Sequence, residues 1–321
     1  MQNESHIPNY IFVGGSPRSG TTLLQNMLDS HPAIVGGPEF LHLPDIIRLR
    51  KSMQPTLAKG WLEAYCSREE ADEHIKQMID KFLLPIAKGN TVSYISEKTP
   101  DNINVFGDIA ELYPEAYFIQ IVRDPRAVIA SMLKVGQRAK RMGQRTQPFT
   151  RNLIDAVAYL KRCYQKGLDF QSGNDRKLLT IHYEELVNDP ERLTRRITEF
   201  LKLPWDEGML RPDKFSHAGE KAITNDIWYT KETYNRRPTR DEVDKWKKDL
   251  TIIQQVVIYF CFRNNTALTG LGYRLDRTFG SRVAERLAWF AGGIFYSVHR
   301  VKSKIGSYIS KPVSGFFRLT Q

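Results

Sequence analysis

Cysteine is scarce in this chain: Cys66, Cys163 and Cys261 are the only three among 321 residues. They lie about a hundred positions apart and form no C-x-x-C pair or Cys/His cluster. That excludes a disulfide framework and structural zinc, and it fits a reducing compartment. Long apolar runs are also missing. No stretch reaches the roughly 18 residues that span a bilayer, and Met1 to Tyr10 lacks the basic and apolar regions of a secretory signal. The expectation is a soluble, cytoplasmic protein. Acidic residues are outnumbered, 36 Asp and Glu against 47 Lys and Arg, for a net charge of +11. Partners are therefore expected to be anionic: phosphorylated nucleotides, acidic polymers or an anionic membrane. Repeats and low-complexity segments are absent, and a hydrophobic fraction of 41% marks a folded chain.

What is present alternates strand and helix. Tyr10 to Val13 reads as a strand, followed by a glycine-rich turn and a helical stripe of Leu23, Leu24, Met27 and Leu28. Leu41 to Leu84 is helical in character and breaks at Pro85, and Tyr94 to Ser96 reads as a second strand. Ala116 to Val122 is almost wholly apolar, as a parallel strand buried on both faces must be. Asp124 is placed to cap the next helix with Pro125 in its first turn. Lys177 to Tyr183 is a fourth strand, and Asp189-Pro190 opens the helix of Leu193, Ile197, Phe200 and Leu201. This is the pattern of an α/β domain, a central parallel sheet between helices in three layers. Ligands in such sheets bind at the C-terminal strand ends. All the motifs below lie there.

The first is Gly15-x-x-x-x-Gly20-Thr21-Thr22, which has the spacing of a P-loop. Thr21 stands where a nucleoside triphosphatase has its lysine, which argues against ATP or GTP hydrolysis. A nest of backbone N–H groups at a helix N-terminus remains, able to hold an anion without a metal. Arg18, inside the loop, supplies a planar cation that can grip two oxygens.

The string Pro17-Arg18-Ser19-Gly20-Thr21-Thr22 resembles the 5′-phosphosulfate loop of PAPS-dependent sulfotransferases. The resemblance is greatest to the branch of tyrosylprotein, bacterial and carbohydrate enzymes. It implies that Arg18, Ser19, Gly20, Thr21 and Thr22 hold the phosphosulfate end of PAPS. Val122-Arg123-Asp124-Pro125-Arg126-Ala-Val-Ile-Ala-Ser131 is similar to that family's 3′-phosphate motif, which implies Arg123 and Ser131 as ligands of that phosphate. Read from residue types alone, Arg123 equally suits a pair with Asp124 or Asp101, and Ser131 a helix surface. Tyrosylprotein relatives have a further arginine where this chain has Val135, beside Lys134.

Glu97-Lys98-Thr99-Pro100 resembles the lysine motif of heparan and tyrosylprotein enzymes, making Lys98 the candidate to neutralise charge on the leaving phosphate. Without the resemblance, the same string is an ordinary solvated turn. The acceptor hydroxyl needs a base within hydrogen-bond reach. Family members use histidine or glutamate. Glu39, after His31-Pro32 and Gly36-Gly37-Pro38, resembles the tyrosylprotein arrangement and is the first candidate. His42, which would share a face with Glu39 on a helical turn, is the rival. His31 is expected to be structural. Tyr183 resembles a family tyrosine, read here either as an adenine or ribose contact or as a core-edge residue. Lys245-Trp246 resembles the lysine-tryptophan pair that closes over the donor, Lys245 as a phosphate contact and Trp246 as packing.

These motifs assign residues 1–275 to a catalytic domain. Residues 276–321 form a basic amphipathic tail with the stripe Val283, Leu287, Phe290, Ile294, Val298, Val301 and Ile305. It suits packing on the domain, a homodimer partner or a membrane interface. No motif requires a metal or a nucleic acid. The expected function is sulfuryl transfer from PAPS to a hydroxyl-bearing acceptor, whether carbohydrate, tyrosine, lipid or small molecule. Two rival readings are a nucleotide kinase and a catalytically inactive nucleotide-binding scaffold.

Overall fold

A computed structural model of the protein describes residues 7–61, 64–173, 177–218, 227–228 and 236–275. The expected amphipathic tail, 276–321, lies outside the described residues. In chain order the elements that build the site are β1 (Asn9–Gly15), α1 (Thr21–Asp29), β2 (Ile34–Gly36), α2 (Leu43–Ala58), α3 (Arg68–Leu83) and β3 (Tyr94–Lys98). They continue as α4 (Phe106–Leu112), β4 (Tyr117–Val122), α5 (Pro125–Arg141), α6 (Leu153–Gln171), β5 (Leu178–His182), α7 (Tyr183–Asn188) and α8 (Pro190–Phe200).

The five strands form one sheet in the order β2-β3-β1-β4-β5, every neighbouring pair parallel. Helices cover both faces, so the expected three-layer α/β architecture is the one observed. Side-chain alternation along the central strand divides the core. Tyr10 and Phe12 join Ile47, Ile79, Phe106 and Phe118 on one face. Ile11 and Val13 join Leu24, Ile119, Ile181 and Ile197 on the other. Burial on both sides is why β1 and β4 are largely apolar, whereas β3 carries Ser96, Glu97 and Lys98 buried at its C-terminal end.

Three local differences from the sequence reading have physical causes. A fifth strand, β2, escaped it because only three residues pair, between the His31-Pro32 turn and Gly37-Pro38. The 41–84 segment is two helices, the second opened by Ser67 and Glu70 in a reciprocal capping box. Tyr183 begins α7 instead of ending β5. The caps at Asp124 and Asp189 are as expected, each accepting a main-chain N–H from the first helical turn.

Register aligns the functional ends. Val13 stands opposite Lys98, Gly15 opposite Ile121, and Val122 opposite His182. Lys98, the turn after β1, Arg123 and Tyr183 therefore emerge along one edge of the sheet.

Candidate active site

The turn between β1 and α1 reverses backbone handedness twice, at Arg18 (φ 73) and Gly20 (φ 105). Successive N–H groups in such a turn point to one side and form an anion-binding concavity. Ser19 closes the turn from within, its hydroxyl donating to Ser16 O at 2.7 Å. No side chain caps α1, and its first turn has no acid, so its positive end faces the loop uncompensated. Gly20 is required for space as well as for handedness. A Cβ there would lie 2.4 Å from the Tyr183 ring. Thr21 and Thr22 are buried at the helix start.

Lys98 ends β3 and is 3% exposed, with its ammonium paired to the Glu39 carboxylate. The same Nζ lies 3.4 Å from Thr22 Oγ1, which brings the ammonium to the phosphate-loop helix. Glu39 is not helical. It lies in the loop before α2, and His42 is the residue just before that helix, so the shared helical face expected for these two does not exist. His42 is exposed at the cleft, with its ring against Phe40. His31 is buried between Pro204 O and the Ala33 N–H, a structural role.

Glu97, unremarked as a chemical group in the sequence, is fully buried beside this pair. It accepts the Phe40 N–H at 3.2 Å, the Thr99 hydroxyl at 2.7 Å and the Asn102 side-chain amide. Burial pushes its carboxyl up to about 7, against the opposing pull of these bonds and of Lys98.

Arg123 pairs with neither Asp124 nor Asp101. Asp124 is bound by Arg126, and Asp101 by Arg48. Arg123 instead donates to Arg18 O at 3.1 Å and to Glu242 O at 2.6 Å, and its guanidinium lies 4.0 Å over the Tyr183 ring. Its Nε is buried with no hydrogen-bond partner, so the group has unspent donor capacity. Tyr183 is 2% exposed and packs between Gly20 and Arg123. It thereby packs against both the turn after β1 and the guanidinium at the end of β4. Ser131 accepts from Arg18 Nε at 3.0 Å, joining the turn after β1 to α5 directly.

Beside Arg123, Glu242 holds both Arg236 and Lys245 by ion pairs. Lys245 thus stands near the 3′-phosphate motif, with Trp246 buried under Arg126 at 4.0 Å. Val135 is core and Lys134 pairs with Asp249, so neither takes the place of the relatives' additional arginine. One turn beyond Val135, burial and then the nearby Arg18 charge hold the Arg138 guanidinium below its ordinary range. Arg138 and Arg236 were missed because single basic residues in a basic chain carry no pattern.

Arg18, Glu39 and Lys98 open into a cleft of about 1270 Å³. The same cleft is lined by Phe149 and Tyr159, stacked at 4.1 Å, together with Trp228, Arg162 and Lys166, and Trp228 O accepts from Arg18 Nη1 at 2.9 Å. The cleft thus presents a carboxylate beside a buried ammonium and the turn of N–H groups that opens α1. Among the described residues, no group of His, Cys, Asp and Glu is arranged to hold a metal ion.

Residues 8–207 match the profile of a family described as "Sulfotransferase family". Protein-tyrosine sulfotransferase A of Caenorhabditis elegans is 29% identical over 241 residues, covering 74% of this chain and 60% of that protein. Protein-tyrosine sulfotransferase 1 of Danio rerio is 31% identical over 208 residues, 64% and 56% respectively. The Drosophila melanogaster protein-tyrosine sulfotransferase is 32% identical over 250 residues, 74% and 46%. This chain spans from about half to 60% of the length of these relatives. In three dimensions it is similar to the sulfotransferase domain from the curacin biosynthetic pathway, with TM-score 0.53, 21% identity and coverage of 85% of this chain and 100% of that one. The sulfotransferase domain of the Synechococcus PCC 7002 olefin synthase gives the same TM-score and identity, covering 86% and 99%. At that identity the likeness concerns the fold.

Proposed function

The chain belongs to the sulfotransferase family, and from that premise we propose that it transfers a sulfuryl group from PAPS to an acceptor hydroxyl. The observation that carries the reading is the position of Lys98 Nζ, paired with Glu39 and 3.4 Å from Thr22 Oγ1 of the loop helix. One ammonium thereby joins a proton acceptor to an anion nest.

The residues suit the donor's two ends. The loop from Ser16 to Thr22, with Arg18, would hold the phosphosulfate, and the buried unpartnered Nε of Arg123 fits a second phosphate with Ser131. Bound PAPS would supply an electrophilic sulfur attached to a phosphate leaving group. Glu39 accepts the proton of the attacking hydroxyl in the cleft. Lys98 and Arg18 place positive charge where the leaving oxygen becomes anionic, the kind of preorganised stabilisation that dominates many enzymatic rate gains. Thr21 in place of the P-loop lysine counts against a nucleotide kinase. The named relatives make a tyrosine hydroxyl the first acceptor to try.

Labelled sulfate transfer from PAPS to peptide tyrosine, sugar, lipid and small alcohols tests the reading. Glu39→Gln and Lys98→Ala should retain PAP binding in calorimetry, with ADP as control, while turnover falls by roughly 10²–10³. Full turnover in Glu39→Gln would move the base to His42. PAP binding with no transfer to any acceptor would favour the inactive scaffold.

A further inference from the structure

The Lys98–Glu39 pair is held in place by a third residue that never reaches the cleft. We propose that Glu97 is a positioning residue for Glu39, setting the base through the Phe40 main chain. The inference rests on the reading that Glu39 takes the acceptor proton.

Glu97 precedes Lys98 on β3, and its carboxylate lies on the inner side of the strand, 3% exposed. One oxygen accepts both the Phe40 N–H at 3.2 Å and the Thr99 hydroxyl at 2.7 Å. The other accepts Asn102 Nδ2, which also reaches Val13 O at 3.3 Å. Phe40 directly follows Glu39, and Val13 directly precedes the two glycines that enter the phosphate loop. A single carboxylate therefore fastens the base loop, the lysine strand and the loop strand to one another.

The partners are all donors: two N–H groups and a hydroxyl. Only the ionised carboxylate accepts from all of them. A proton on Glu97 removes an acceptor position, and the longest of the bonds, that to Phe40, is the one most easily given up. Release of the Phe40 N–H loosens the loop in which Glu39 stands, so the alignment of the base depends on the charge state of a buried neighbour. The charged groups around Glu97 are Lys98 on its own strand, Glu39 on the loop that Phe40 continues, and Asp101 on the turn carrying Asn102. Of these, Lys98 favours the ionised form. Burial opposes it and places the titration at about 7.

The test uses the full chain, PAP binding by calorimetry, and PAP release from PAPS with water as acceptor. The wild-type rate should fall as pH drops through about 7. Glu97→Gln should bind PAP within roughly threefold of wild type, turn over about tenfold more slowly, and show no such acid limb. Thr99→Val keeps the carboxylate but deletes a donor that favours its ionised form, so its acid limb should move to higher pH. A wild-type rate with an unchanged limb in Glu97→Gln overturns the proposal, as does an unmoved limb in Thr99→Val. Failure of the wild-type chain to bind PAP, or to form PAP from PAPS with water or any of the acceptor classes above, would instead defeat the sulfuryl-transfer reading itself.

Discussion

Arg18 Nε donates to Ser131 Oγ across 3.0 Å, so the phosphate-loop arginine and the helix serine of the second nucleotide motif are in direct contact. The main chain repeats the link, since Arg123 donates to Arg18 O. Two segments separated by a hundred residues of sequence are thereby joined, and on the proposed reading they act as one anion-binding unit.

Substitution at either end of that contact should therefore cost binding at both. Ser131→Ala and Arg18→Lys are each expected to weaken PAP affinity by about tenfold, the scale of one lost charge-assisted bond. The double variant should lose less than the product of the two, because they share one interaction. Calorimetric titration of the four proteins completes the cycle, and strict additivity would show the contact to be energetically silent.

Gly20→Ala should abolish PAP binding and lower the melting temperature by several degrees. Left-handed backbone costs an L-residue roughly 1–2 kcal/mol, and the added methyl would also meet the Tyr183 ring at 2.4 Å. Gly89→Ala is the control: its φ is also positive, at 86°, but nothing lies within 4 Å. Thermal melts should show the larger loss at Gly20, the difference being the steric part.

Glu97 should make the fold less stable as pH rises. Its carboxyl ionises near 4.5 in an unfolded chain and at about 7 in the folded one. Between those values the folded state holds a proton that the unfolded state has released, so stability from this group falls with rising pH. The loss is on the order of 3 kcal/mol and is complete above about 7. Denaturant melts at pH 5 and pH 8 should show this difference in wild type and a smaller one in Glu97→Gln. Activity and stability then pull in opposite directions across the same pH interval, a trade common at functional sites.

The strand-turn-helix around residues 15–22, and Arg18 and Ser131, which prove to be joined, were legible as candidates in the sequence because they depend on short contiguous strings. Handedness at Gly20, an anion-ready helix start and the spacing from Arg123 to Ser131 each leave a local signature. Of the longer strands, β1 and β4 were legible for a similar reason, their burial on both faces leaving mostly apolar runs. Contacts made across the sheet leave no such trace. Glu97 looks like half of a solvated Glu-Lys turn until β3 is seen to bury it against Phe40 and Asn102. Tyr183 reads equally well as a nucleotide contact or as core, and only the approach of Gly20 on one side and Arg123 on the other decides its place. Glu39 and His42 share no helical face because α2 starts only at Leu43, after both, and helix boundaries are the least determined part of any such reading.

The Tyr183 ring lies between the glycine of one anion-binding element and the guanidinium of the other. If those elements hold the two ends of a donor, the ring between them is a gauge block for how far apart two negative groups must be to be held together. On the proposed reading, the enzyme recognises its donor partly as a length. A nucleotide with one phosphate cluster fills a single jaw, while one phosphorylated at both ends spans the gauge.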